Sequence, residues 1–249
     1  ARELKVTFFA TAFDIPSANF CDELELPAIK IASGGLTNIP LIRHAARLGR
    51  PMIVSTGGAT MEDVRRAHDV VMLENGKLVL MQCTAAYPAQ PKDMNLRVIQ
   101  TYREEFPDAV IGLSDHQNGI AFGPVAYALG ARVFEKHFTW SRAAKGTDHA
   151  FSLERGGLRR YVRDLSRTGP ALGDGVKVPL PVERQPIKKM AQAVYAARDI
   201  KAGEVIGWED VAFKSPSTGM PPYKLDRFVG RKVTVEFQQD EPLSSEAFE

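Results

Sequence analysis

The sequence predicts an α/β fold, and within that class a (β/α)8 barrel, from two observations. Short apolar runs alternate with amphipathic stretches along residues 5–136, and the runs are almost continuously apolar. Continuous apolar runs are typical of parallel strands covered on both faces, and strands that alternate with helices predict right-handed βαβ units. Polar residues also follow these runs, where the strands of an α/β barrel carry their chemistry.

Six strands are predicted, at residues 5–10, 28–32, 51–54, 77–83, 109–113 and 132–136. Helices are predicted at residues 41–48, 61–73, 96–106 and 123–129. A complete barrel has eight strands, so we expect a (β/α)8 (TIM) barrel that lacks its first two βα units in this chain, about 60 residues or more. The alternative is an open doubly wound sheet, which would need no missing part.

Three segments are expected. Residues 1–172 form the barrel domain, residues 173–189 a linker rich in proline and glycine, and residues 190–249 a short-stranded module rich in turns. Within this module, residues 197–206 resemble residues 234–243, which predicts a compact β-rich fold with two similar lobes. A module of this length is small for an independent core, so we expect it to dock on another surface.

Composition narrows the possible partners. A formal charge of +2 gives no reason to expect nucleic acid or an anionic membrane. No apolar stretch approaches the roughly 18 residues of a membrane span. The two cysteines, Cys21 and Cys83, have no metal-binding or redox spacing, and Cys83 is expected to be a buried thiol. A chain that needs no disulfide fits a reducing compartment, so a cytoplasmic location is expected.

Every predicted strand is followed by a hydroxyl or an imidazole. Capping of a turn or helix would explain any one of the hydroxyls alone. Together, beside the glycine pairs at 34–35 and 57–58, they predict a substrate-binding pocket for a phosphate or carboxylate. The residues are Thr11, Ser33, Ser55, Thr84, Ser114, His116 and His137.

Lys30 lies in the middle of a strand that is expected to be buried. An unpaired buried ammonium is costly, so Lys30 forms an internal salt bridge or neutralises an anionic ligand. Glu135 or Lys136 could pair with Lys30 or organise His137.

His116 and His137 have two interpretations. They are either core histidines satisfied by hydrogen bonds or two ligands of one divalent metal ion, which would act as a Lewis acid or activate water. Tyr87 opens the loop after a strand and is expected to line the pocket. His44 and His68 fall on amphipathic helices and are expected to face solvent.

Six short motifs are distinctive, at residues 30–34, 55–57, 83–88, 112–116, 135–139 and 146–149. In identity and order they resemble those of the sialic acid synthase family, which includes N-acetylneuraminate synthase and spore-coat polysaccharide biosynthesis proteins. The tail, with residues 200–204 and 229–231, resembles the C-terminal SAF domain of that family, which is similar to type III antifreeze protein. The resemblance covers essentially the whole chain.

The resemblance implies condensation of phosphoenolpyruvate with an open-chain amino sugar such as N-acetylmannosamine, with release of phosphate. It implies that His116 and His137 hold Mn²⁺ or Mg²⁺ and that Tyr87 and Asp148 lie near the sugar. Family members are dimers in which the tail domain of one subunit caps the barrel of the other, so a domain-swapped homodimer is expected. The positions that match phosphoenolpyruvate-binding residues are Thr11, Lys30, Ser33, Ser55 and Ser114.

The chain departs from the family pattern at three positions that face the sugar or the reacting centre. Gly35 replaces a frequent glutamate, Ala85 an asparagine, and Ser215 the arginine of a tail motif. A glutamate carried by the first two barrel strands of the family is also absent. These departures imply an altered sugar or weak activity. The alternatives are a non-catalytic homologue that binds phosphoenolpyruvate and a metal-dependent hydrolase on a similar barrel.

Overall fold

A computed structural model describes Ala1 and residues 3–249 as two compact units, Ala1–Gly175 and Val176–Glu249. The first unit contains six strands: β1 (Ala10–Thr11), β2 (Ile29–Ile31), β3 (Met52–Ser55), β4 (Leu78–Cys83), β5 (Val110–Asp115) and β6 (Val133–Lys136). Its helices are α1 (Ile15–Glu23), α2 (Ile39–Arg47), α3 (Met61–Glu74), α4 (Val98–Glu105), α5 (Phe122–Leu129) and α6 (Arg155–Leu172).

The six strands form one parallel sheet in the order β1-β2-β3-β4-β5-β6. Each strand therefore lies beside the strand that precedes it in the chain, and a helix connects each pair. In a doubly wound sheet the strand order reverses at a switch point, whereas a barrel wall proceeds in sequence. The α/β class is confirmed, and the order of strands is that of part of a barrel wall rather than of the doubly wound alternative.

The first strand is shorter than the sequence predicts. Residues 5–10 are an apolar run, but only Ala10 and Thr11 pair with β2, opposite Ile29 and Lys30. Phe8 and Phe9 are exposed. Because β2 itself has only three residues, it offers hydrogen-bond partners to the carboxyl end of the predicted run alone.

Local signals set the helix starts. Thr60 caps α3 in a reciprocal arrangement with Asp63, and Asn38 accepts a hydrogen bond from the Leu41 N–H at the start of α2. Two helices, α1 and α6, were not predicted, although Asp14 caps α1 and Pro16 stands in its first turn. Among the described residues, no helix is long and apolar enough to cross a membrane.

His68 is buried, so its predicted exposure is wrong. Its ring Nδ1 lies 3.0 Å from Asp69 Oδ1 and its Nε2 lies 2.9 Å from Asp108 Oδ1. The ring also contacts Phe106, with 4.6 Å between ring centroids. The hydrogen bond to His68 is the largest cause that lowers the pKa of Asp108. An imidazole with two carboxylate partners can be buried on a helix face that the sequence pattern assigns to solvent.

The second unit contains α7 (Arg184–Met190) and an antiparallel pair, β7 (Ala193–Ala196) and β8 (Val211–Lys214). Helix α7 lies mostly within the expected linker. The rest of the unit is made of turns and single bridges around a small core that includes Val194, Ile206 and Leu243.

The predicted internal repeat is visible in the hydrogen bonds of this unit. Ile200 and Phe237, which are equivalent in the two repeats, exchange both backbone hydrogen bonds at 2.8 Å. The turn residues Gly203 and Asp240, also equivalent, both have positive φ, 86° and 68°. Glu204 accepts from the Lys201 N–H as Glu241 accepts from the Gln238 N–H. The two lobes are therefore similar in structure as well as in sequence.

Two glycine substitutions test the packing of the first unit. A Cβ at Gly112 in β5 would lie 2.3 Å from Met81 Sδ and 2.7 Å from the Val133 carbonyl oxygen. Overpacking against backbone costs about 1–3 kcal/mol. Gly112→Ala is therefore expected to lower the free energy of unfolding by that amount, which is measured as a lower urea midpoint. Gly156 in α6 has open space around it. Gly156→Ala is therefore expected to leave the midpoint unchanged or raise it by up to about 1 kcal/mol in stability, and equal midpoints for the two variants would contradict the described packing.

Candidate active site

The carboxyl ends of the six strands open into a cavity of about 520 Å³. In a parallel sheet these ends lie at one edge, so the residues that follow each strand converge there. Nine of the sequence-predicted site residues line it: Thr11, Lys30, Ser33, Ser55, Tyr87, Ser114, His116, His137 and Asp148. Phe13, Ala32 and Glu135 complete the lining.

Lys30 is buried in the floor of this cavity and has two polar partners. Its Nζ donates to Ser55 Oγ at 2.9 Å and lies 3.3 Å from Glu135 Oε2. Ser114 Oγ donates to the other carboxylate oxygen of Glu135 at 3.0 Å. One positive charge and three oxygen-bearing side chains are thus joined in a single network.

The ion pair between Lys30 and Glu135 also shows that the sheet curves. Lys30 is on β2 and Glu135 is on β6, four strands along the sheet. In a flat sheet the two backbones would be about 19 Å apart, which is beyond the reach of the two side chains. Their 3.3 Å separation requires the strands to curl around a common interior.

Cys83 is the last residue of β4, and its thiol is buried beside Ser33 of the cavity lining. Ser33 Oγ donates to Cys83 Sγ at 3.4 Å and accepts from the Gly57 N–H at 3.0 Å. A Cβ at Gly57 would lie 2.8 Å from Ser33 Oγ and 3.0 Å from Cys83 Sγ, so the glycine permits this close approach. Burial acts to raise the pKa of the Cys83 thiol, but contacts with His116 and Ser33 outweigh it, and the net pKa is lowered.

His116 is held by backbone groups of the loop that follows β4. Its Nδ1 lies 3.1 Å from the Thr84 carbonyl oxygen, and its own carbonyl accepts from the Ala89 N–H. Burial acts to lower the pKa of His116, whereas the contacts with Cys83 and the Thr84 carbonyl raise it and prevail. Because a carbonyl can only accept, Nδ1 carries the proton, and in the neutral ring Nε2 keeps its lone pair.

His137 faces His116 across the cavity, with 5.1 Å between the ring centroids. Its Nδ1 lies 3.5 Å from Asp148 Oδ2. Desolvation, followed by the charge of His116, lowers the pKa of His137 and favours the neutral imidazole. Tyr87 packs against His116 at 4.2 Å between centroids and stays half exposed. Burial is the largest cause that raises the pKa of Tyr87, so its hydroxyl remains a donor at neutral pH.

Thr84 is the one predicted site residue outside the cavity lining. Its hydroxyl donates to the Asp93 carbonyl at 2.9 Å, so it contributes to the site through the carbonyl that holds His116. Glu135 lines the cavity and pairs with Lys30, which confirms one of the two pairings expected from the sequence, although it was not among the predicted binding residues; Phe13 was not predicted at all. The signal for Glu135 was its place two residues before His137 on a strand, which puts both side chains on one face. Phe13 lies in a loop and had no such signal.

The donor set fits a divalent ion that is completed by small ligands. His116 and His137 each offer an imidazole nitrogen that a hydrogen bond on the other ring nitrogen can orient. The described residues contain no group of three His, Cys, Asp or Glu side chains placed to hold a metal. Mg²⁺ and Mn²⁺ sites commonly retain waters and bind substrate oxygens, so two protein ligands are compatible with either ion.

The chain matches the models of two known protein families. Residues 1–177 match the NeuB family, and residues 191–249 match the SAF domain. The chain belongs to the NeuB family. The family match covers the whole of the strand-and-helix unit that forms the cavity.

Individual relatives of this NeuB-family chain are synthases and a polysaccharide biosynthesis protein. The chain is 37% identical over 250 residues to N-acetylneuraminate-9-phosphate synthase of Mus musculus, covering 100% of this chain and 70% of that protein. It is 33% identical to N,N'-diacetyllegionaminic acid synthase of Campylobacter jejuni, covering 97% and 73%. The crystal structure of spore coat polysaccharide biosynthesis protein SpsE from Bacillus subtilis matches with a TM-score of 0.68 and 30% identity, covering 100% and 75%.

The cavity is expected to bind small anions through Lys30. A charge-assisted hydrogen bond contributes about 1.5–3 kcal/mol, so Lys30→Met should raise the Kd for inorganic phosphate at least about tenfold in calorimetry. Lys77→Met is the matched control, because Lys77 is exposed and its Nζ donates to the Gly49 carbonyl at 3.3 Å, away from the cavity lining. Equal phosphate affinity in the wild type and Lys30→Met would contradict an anion site at Lys30.

Proposed function

We propose that this chain condenses phosphoenolpyruvate with an N-acyl amino sugar in its open-chain form, releasing phosphate and a sialic or other nonulosonic acid for surface polysaccharide biosynthesis. The observation that carries the proposal is that one cavity brings together two sets of groups. Lys30 and three serines form one set, and His116, His137, Tyr87 and Asp148 form the other. The names of the relatives support the same class of reaction.

Lys30 and the three serines suit the phosphate and carboxylate of phosphoenolpyruvate. Lys30 supplies the positive charge, and Ser33, Ser55 and Ser114 supply hydroxyls at successive strand ends. In this role an anion would compete with Glu135 for Lys30, which lies 3.3 Å from that carboxylate. Binding and orienting the enol carbon toward a second substrate converts a bimolecular step into one within the complex.

In the bond-forming step, the enol carbon of phosphoenolpyruvate attacks the aldehyde carbon of the sugar, and the aldehyde oxygen takes up a proton to become a hydroxyl. Water then adds to the electron-poor carbon that bears the phosphate and gives up one proton. The C–O bond to phosphate breaks, the added hydroxyl becomes the ketone, and its proton leaves with the phosphate or to solvent. Glu135, whose two oxygens are held by Lys30 and Ser114, would take the proton of the attacking water. The Tyr87 hydroxyl and the Asp148 carboxylate would bind sugar hydroxyls and hold the aldehyde in position.

We propose that His116 and His137 hold a divalent ion, Mn²⁺ or Mg²⁺. When bound, this ion supplies Lewis-acid polarisation of the aldehyde oxygen. The support is the hydrogen bond that fixes the Nδ1 proton of His116, and the environment that keeps His137 neutral. Asp148 would orient His137 from its Nδ1 side.

The deciding experiment measures phosphate release from phosphoenolpyruvate with a panel of N-acyl hexosamines and Mn²⁺, using the full-length protein. Sugar-dependent release, together with a nonulosonic acid in the product mixture, is the expected result. Lys30→Met should lower kcat/KM by at least about 100-fold, because it removes a charged contact to the substrate. Lys77→Met should leave kcat/KM unchanged.

A second candidate follows from the three departures from the family pattern. Gly35 and Ala85 carry no polar side chain, and Ser215, in the second unit, donates its Oγ hydrogen bond to the Met190 carbonyl. A non-catalytic homologue would bind phosphoenolpyruvate in calorimetry and release no phosphate with any sugar. Phosphate release with water as the only co-substrate would instead identify a hydrolase.

The metal assignment has its own test. His116→Ala and His137→Ala are each expected to weaken Mn²⁺ binding by at least about tenfold in electron paramagnetic resonance titrations, since each removes one of the two protein ligands. His44→Ala is the control, because His44 lies on α2 and contacts Asn19 at 2.6 Å. Unchanged Mn²⁺ affinity in both cavity variants would refute the metal site.

Three further features belong to this proposal. Two additional βα units would complete the barrel, which the six sequential strands and the 70% coverage of the mouse relative support. A domain-swapped homodimer would bring the small second unit to the cavity of a partner, and light scattering of the full-length protein tests the dimer. The buried free thiols Cys21 and Cys83 suit the cytoplasm.

A further inference from the structure

Strands β5 and β6 carry polar residues on both faces near their carboxyl ends. Ser114 and Glu135 are paired in register and face the cavity. The next residues along the two strands, Asp115 and Lys136, are also paired in register and face the opposite way, since side chains alternate along a strand. The next residues, directly after the two strands, are His116 and His137.

The Asp115 and Lys136 side chains form a buried ion pair. Lys136 Nζ lies 2.9 Å from Asp115 Oδ2, and the two side chains are only 3% and 0% exposed. Stability does not explain such a pair, because buried ion pairs contribute little compared with apolar residues of similar volume. The pair therefore calls for a role in fixing geometry.

The same two side chains also bind the backbone of Gln117, the residue after His116. Asp115 Oδ1 accepts from the Gln117 N–H at 2.8 Å, and Lys136 Nζ donates to the Gln117 carbonyl. Residues 115–117 are thus tied at both ends to the residue that precedes His137. A shift of the backbone of residues 115–117 relative to residue 136 must strain at least one of these contacts.

We propose that Asp115 and Lys136 are positioning residues that set the separation of His116 and His137. They act from behind the sheet and touch neither substrate. The proposal rests on the proposed role of the two histidines. It extends that role by assigning the spacing of the imidazoles to a clamp made of Asp115, Lys136 and the Gln117 backbone.

Tyr161 of helix α6 lies near this clamp: burial, and after it the charge of Asp115, raise the pKa of its hydroxyl. The Tyr161 ring lies against Gly123 of α5, where a Cβ would come within 2.3 Å of the ring. Its hydroxyl is buried and has no hydrogen-bond partner among the described residues. Tyr161→Phe therefore keeps the packing near the clamp and removes no contact that the clamp uses, which makes it a matched control.

The test compares Lys136→Met with Tyr161→Phe in the full-length protein. In the metal-free protein, Lys136→Met is expected to shift the imidazole resonances of both His116 and His137, while those of His44 stay unchanged. Its Mn²⁺ affinity should fall about 10–100-fold, the range found when partners that orient metal ligands are removed. With substrates, kcat should fall more than the KM for phosphoenolpyruvate rises, because Lys30 and Ser55 lie on β2 and β3 and only Ser114 of the binding residues lies beside the clamp.

Two results would overturn the proposal. One is a folded Lys136→Met protein whose His116 and His137 resonances match the wild type. The other is an equal loss of Mn²⁺ affinity in Tyr161→Phe, which would indicate general loosening around α6. If Lys136→Met does not fold, Asp115→Asn keeps the size of the side chain and is measured in the same way. The metal-free spectra decide the clamp even where wild-type protein binds no Mn²⁺, an outcome that would refute the metal proposal alone.

Discussion

The contact between Lys30 and Glu135 is the interaction on which the site depends. It joins two strands that are not neighbours, at 3.3 Å, across the interior of the curved sheet. Because Lys30 also reaches Ser55, and Glu135 also reaches Ser114, four of the six strands share one polar network. The curvature of the sheet and the charge of the cavity therefore stabilise each other, and a flatter sheet would leave the buried ammonium of Lys30 without its carboxylate partner.

The strand ends could be predicted from sequence because parallel sheets impose a simple rule. A polar residue directly after an apolar run lies at the carboxyl edge whatever the details of packing, and six of the seven residues chosen on this basis line one cavity. The repeat in the second unit could also be predicted from the sequence, since equivalent turns need equivalent residues. These inferences depend only on local pattern and chain direction.

The remaining features depend on contacts distant in sequence. His68 looked like a surface residue because nothing near it indicates that Asp108 lies 2.9 Å from its ring. Thr84 follows a strand as expected, yet its hydroxyl turns to the Asp93 carbonyl in the same loop. The short β1 reflects the length of its neighbour rather than its own apolar run. In each case the partner, and not the residue itself, decides the outcome.

The mutual hydrogen bonds of the second unit bear on how that unit can fold. Ile200 and Phe237 satisfy each other, and the Val194 carbonyl receives the Leu243 N–H as the Arg231 carbonyl receives the Ile206 N–H. Neither repeat can complete its own backbone pairing, so half of the unit would expose polar groups that the other half normally covers. The unit should therefore form in one cooperative step that waits for its last residues to be synthesised, and damage to either turn should be felt equally in both lobes.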